Sequence, residues 1–80
     1  MPTVLRMDGL RIVIWPNDHA PPHVHVFSAE AEAMIALGGV LARPRLIENR
    51  RMKPAILAHA LQAVYAHQAV LMKKWREIHG

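Results

Sequence analysis

Polar and apolar residues alternate with a period of two over much of the first half of the chain. Near the end they switch to a spacing of three and four. The first regime predicts half-buried strands and the second an amphipathic helix. Thr3 to Met7 reads as a first strand and Leu10 to Trp15 as a second, joined by Asp8-Gly9, a strong two-residue hairpin signal. In the second strand Leu10, Ile12 and Ile14 share one face, and Arg11, Val13 and Trp15 share the other. Pro16-Asn17-Asp18 opens a turn. His23 to Phe27 alternates again, with Val24 and Val26 on one face and His23, His25 and Phe27 on the other. Ser28 to Glu30 is a short polar reversal. A fourth strand is expected over 32–37, although Ala31, Ala33 and Ala36 would also tolerate a helix.

Gly38-Gly39 ends that run, and the pattern over 40–53 is mixed. Pro44 rules out one long helix there. The stretch reads as an irregular basic connection with room for one short strand, displaying Arg43, Arg45, Arg50, Arg51 and Lys53. Pro54 suits a first helical turn, where its missing N–H has no partner. A helix is expected from Pro54 to about Ile78, with Leu57, Leu61, Val64, Leu71, Trp75 and Ile78 as its apolar stripe and Gln68 as the polar member of it. The expected architecture is α+β in a single domain over 1–80. It is an antiparallel β-meander of four strands, or five if the short one forms, with one long C-terminal helix packed on one face. That helix is expected on the Ile12/Ile14/Val24/Val26 side, leaving the histidines to face away from it into a shallow groove or a partner.

Composition adds three things. Eighty residues make a thin core, so a partner or a homodimer would add stability. There is no cysteine, which removes disulfides and thiolate metal sites and points to a reducing cytoplasm. The net charge of +4 suits a polyanion such as RNA or an acidic protein. No signal peptide is visible, and the longest apolar segment is amphipathic and ends in charges, so no membrane span is expected.

Candidate chemistry is concentrated in Asp18-His19-Ala20-Pro21-Pro22-His23-Val24-His25-Val26. Two consecutive prolines stiffen the turn. The strand after it holds two imidazoles side by side, with Asp18 and His19 returned nearby. This core, with the strand before it and the helix after it, resembles a family of small bacterial proteins known as domain of unknown function (DUF) 4160. Its members carry a DH-x-PPH-x-HV core and finish with a helix containing a histidine and then a tryptophan. Here the core is Asp18, His19, Pro21, Pro22, His23, His25 and Val26, and the helical pair looks like His67 and Trp75. Between Gly38 and Lys53 this chain is longer and richer in arginine than the family's usual pattern. The resemblance implies a component of a toxin–antitoxin pair, the toxin-like member, with a small cognate antitoxin-like protein as partner.

Three functions fit these residues. In an RNA-directed toxin, a metal-independent ribonuclease, His23 and His25 would be the acid–base pair. Asp18 would orient them and His19 would be a substitute for either. Arg11 would clamp a phosphate, Trp15 or Phe27 would stack a base, and Arg43, Arg45, Arg50, Arg51 and Lys53 would attract the backbone. No cofactor is then needed. In a metal site, His23 and His25 would chelate one ion, zinc by preference, with Asp18 or His19 as third ligand. In a protein-interaction module, the basic segment or the exposed sheet face would dock an acidic protein. A purely structural account is that the prolines fix a turn and both imidazoles bond to backbone across the sheet. Trp75 reads as a core anchor, His67 as a structural hydrogen-bonder at the margin of the stripe, and His59 and His79 carry no argument.

Overall fold

The computed structural model describes residues 3–39 and 42–80; Met1, Pro2, Val40 and Leu41, the last two in the expected connection, lie outside the described residues. Five strands, β1 (Thr3–Met7), β2 (Leu10–Val13), β3 (His23–Ser28), β4 (Ala31–Ala36) and β5 (Arg45–Arg50), form one antiparallel sheet in the order of the chain. Two helices follow, α1 (Pro54–Ala66) and α2 (Gln68–His79). The β1–β2 turn works because both its residues take left-handed backbone, φ 50° at Asp8 and 77° at Gly9, which matches the twist of the flanking strands. β2 is shorter than the expected 10–15, since Pro16 has no N–H to continue a ladder.

The helices cover one face. Leu10, Ile12, Ile14, Val24, Val26, Ala33 and Ile35 from the sheet meet Ala60, Val64, Leu71 and Trp75 from the helices. Ile12, Ile14, Val24, Val26, Ile35, Val64 and Leu71 are fully buried. Each contributes about 1.5–3 kcal/mol of burial free energy, so this layer carries the fold. The apolar side of the alternation is the expected one.

The fifth strand allowed for in the basic connection forms: β5 pairs with β4 from Glu32↔Arg50 to Ala36↔Arg45, with a register break opposite Met34/Ile35. Its side chains are exposed throughout, so no apolar alternation advertised it. The chain then reverses into α1 through Arg51, at φ 68°, while the Asn49 side chain accepts from Met52 N–H and donates to Met52 C=O, each at 3.0 Å.

One expectation needs correction: the single long helix is two segments bent by 74°. The break sits at His67, whose Nδ1–H donates to Ala63 C=O (3.0 Å). Gln68 begins α2 and reaches the loop after β4. Its Oε1 accepts from Gly38 N–H (2.7 Å), and its Nε2 donates to Ala42 C=O (2.9 Å) and Gly39 C=O (3.3 Å). A buried amide with so many partners holds the bend in place. Among the described residues no single helix is long and apolar enough to cross a membrane.

Candidate functional site

The turn after β2 is built by Asp18. Its N–H donates to Trp15 C=O (3.1 Å) and its Oδ2 accepts from Trp15 N–H (3.0 Å), so Trp15-Pro16-Asn17-Asp18 closes on itself. The chain then runs through a cis Ala20–Pro21 peptide, and Pro22 C=O accepts from Leu37 N–H (3.0 Å). β3 starts at once with His23. The result returns the Asp18 carboxylate to the start of β3, over the face that carries His23 and His25.

The imidazoles are held from behind. His23 Nδ1–H donates to Pro21 C=O and His25 Nδ1–H to Glu32 Oε2, both at 2.9 Å. Both acceptors lack protons, so each Nδ1 must carry one. The other ring nitrogens converge on Asp18. His25 Nε2 lies 3.3 Å from both carboxylate oxygens, and His23 Nε2 lies 3.6 Å from Oδ1. One ligand atom from each of Asp18, His23 and His25 falls within 4.8 Å of the other two.

Asp18 and Glu32 together bring two carboxylates to a site whose side chains are mostly buried. Ring protons or a divalent cation at the Nε2 positions would offset their charge, since buried charge is costly unless compensated.

The rings are less accessible than expected. His23 and His25 retain only 8% and 7% of their exposure, in place of the shallow open groove. Their cross-strand neighbours Ala36 and Val13 are buried as well, so the sheet is covered at this end. Trp15 lies edge-on to His25 with centroids 6.5 Å apart. The helix bend also brings α2 round to the histidines: Trp75 packs on His23 at 5.3 Å and stacks on His79 at 3.8 Å. Trp75 is thus both the core anchor expected and a wall of the site. The rings are not saturated by main-chain oxygens, since each Nε2 is aimed at a side chain.

The remaining candidates separate. His19 is on the turn beside the cluster and lines, with Asp18, Trp75, Arg76 and His79, a cleft of about 470 Å³. Arg11 is on the histidine face but stacks over Phe27, 5.0 Å from the ring centroid. Arg43 stacks over Tyr65 (5.2 Å). Arg45 and Arg50 are on β5, two strands away from β3, where Arg50 Nε bonds Glu48 at 2.7 Å. Arg51 and Lys53 follow β5 and line grooves at its end. The cations therefore do not converge on the histidines.

Sequence reasoning missed Glu32 and His79. Glu32 was available from the hairpin: a two-residue reversal at Ala29-Glu30 pairs Ser28 with Ala31 and Phe27 with Glu32, diagonal to His25. His79 had no such signal. The family model described as Domain of unknown function (DUF4160) matches residues 9–76, and the chain belongs to that family. No curated protein and no solved structure matches the chain.

Proposed function

We propose that this DUF4160 domain is a metal-binding domain whose centre is Asp18, His23 and His25, with zinc as the preferred ion. One observation carries the reading. Both Nδ1 atoms are committed to acceptors, and both Nε2 lone pairs converge on a carboxylate. Histidines that bind metals characteristically donate the other ring N–H to a carboxylate or carbonyl, as these do. The spacing supports it too. Ligand atoms about 2.0–2.2 Å from a tetrahedral ion stand roughly 3.3–3.5 Å apart. The Asp18–His25 and Asp18–His23 separations of 3.3 and 3.6 Å fall near that edge. Three protein ligands leave a fourth position for water or substrate, the arrangement of hydrolytic zinc sites, where the ion supplies Lewis acidity. Asp18, His23 and His25 would hold the ion, and Glu32 would fix the His25 tautomer.

The test is elemental analysis of protein purified without an affinity tag, followed by thermal unfolding with added zinc. The expected result is one transition-metal ion per chain and a raised Tm, both lost in Asp18→Asn and His25→Ala. A metal-free protein that zinc does not stabilise would overturn the reading.

A second reading is favoured by the edge-on packing of the His23 and His25 rings, 5.2 Å between centroids, beside a carboxylate. One ring protonated at Nε2 and the other with its Nε2 lone pair free would make this an acid–base pair. The domain would then be the toxin-like member of a toxin–antitoxin pair acting on RNA, with a cognate antitoxin-like protein as partner. Induced expression should arrest growth, and His23→Ala or His25→Ala should relieve the arrest while the protein stays folded. Arrest that persists in both variants removes histidine chemistry from this account.

A further inference from the structure

β5 is an unusual strand for so small a domain. All six of its residues are exposed, so both its faces and its outer edge are open, and its contacts are with β4. Leu46 and Ile47 keep 37% and 46% of their exposure. An outer strand presents unpaired N–H and C=O groups ready to accept another strand, and apolar residues on such an edge are normally shielded.

The surroundings select the occupant. The pairing places Arg45, Glu48 and Arg50 on the histidine face and Leu46 and Asn49 on the helix face. On the histidine face, Glu48 is bonded to Arg50. Among the described residues no carboxylate lies within 4.0 Å of a charged nitrogen of Arg43, Arg45, Arg51 or Lys53. On the helix face, α1 packs on β4, and the grooves at its two ends are lined by residues that flank β5. Its first turn joins Arg51, Met52 and Lys53 in a groove at Ile56, and its last turns meet Arg43 and Pro44 at Leu61 and Tyr65. α1 has no Asp, Glu, Lys or Arg, and Ile56 and Tyr65 are exposed on it. A strand laid against β5 therefore meets Arg45 and the Glu48–Arg50 pair on one side and Leu46 and Asn49 on the other, with the cations Arg43, Arg51 and Lys53, unpaired among the described residues, at its two ends. A second copy paired antiparallel over the full length of β5 would set Arg45 against Arg50 of the other chain, like charge against like.

We propose that the free edge of β5 takes an extended segment of an acidic partner protein as a sixth strand. Its residues alternate, acidic toward Arg45 and the cations that flank β5 and apolar toward Leu46. Main-chain bonds along the edge supply affinity, and the alternation supplies selectivity. The inference is independent of the metal reading, since it uses none of Asp18, His23 and His25.

The test is an NMR titration of the full chain with a short synthetic peptide that alternates glutamate and valine. Amide shifts should be confined to Arg45–Arg50 and the α1 flank. Binding should weaken about tenfold in the Arg45→Glu/Arg51→Glu variant, whose exposed positions leave the fold intact. His25→Ala should bind as the parent does. Four outcomes overturn the proposal: no shift at millimolar peptide; equal binding by a peptide of the same composition in which the glutamates are contiguous; tighter binding of a single-stranded oligoribonucleotide to the same edge; or β5 amides already protected in a dimer without peptide.

Discussion

His79 Nε2 lies 3.2 Å from the carbonyl oxygen of Trp15, while its Nδ1 lies 3.1 Å from that of Trp75. Carbonyls only accept, so a single ring makes both bonds only when both its nitrogens carry protons. The last turn of α2 is thereby fastened to the turn that carries Asp18. His79→Ala should lower stability by about 1 kcal/mol in a denaturant titration. It should also speed amide exchange at Trp15 and Asp18 while leaving β1 and β4 unchanged. Unaltered exchange at those two amides would show that the turn holds without the fastening.

Glu32 touches His25 from the side away from Asp18. If the cluster holds a metal ion, Glu32→Ala should weaken its binding by about 10–100-fold, read by competition with a chromophoric chelator. Glu32→Gln keeps an acceptor but not the charge, and its affinity should fall between the two. Equal affinities across the three proteins would show that Glu32 has no part in tuning the site.

Gln68→Leu fits the stripe by size and removes every bond the side chain makes. Gly38 N–H and Ala42 C=O lose their partner on a loop where Gly38 is half-buried and Ala42 exposed, which should cost about 1–2 kcal/mol. The loss should appear as a lower unfolding midpoint, with faster amide exchange at Gly38. A neutral result would mean that water replaces the amide without penalty.

The two adjacent glycines should behave differently. A Cβ at Gly38 would press into the Ala42 carbonyl, whereas one at Gly39 would meet nothing within 4 Å. Gly38→Ala should therefore cost about 2 kcal/mol and Gly39→Ala less than about 0.5 kcal/mol. Thermal unfolding of the pair measures the contrast, and equal effects would contradict the close approach.

Most of the sheet was legible because the physics that shapes it is local. Asp8-Gly9 names its own turn, and the alternation from Leu10 to Ile14 and from His23 to Phe27 sorts the two faces correctly. Residues far apart in the chain settled the rest. β5 carries no apolar period, and only its pairing with β4 reveals it. The helix bend has neither proline nor glycine to announce it; it follows from Gln68 bonding to a loop some thirty positions earlier. The site divides in the same way. Asp18, His23 and His25 are close in sequence and were grouped at once. Trp75 and His79 joined them only because the bend brings α2 round to β3.

The diagonal reach from β4 to His25 has one more consequence. Side chains on a strand change sides with every residue, so sliding β4 past β3 by a single position would turn Glu32 away from the imidazole. The same offset would turn Ala33 and Ile35 out of the core. The anchor behind His25 and the apolar layer therefore demand one and the same threading of the two strands, and each penalises its nearest rival.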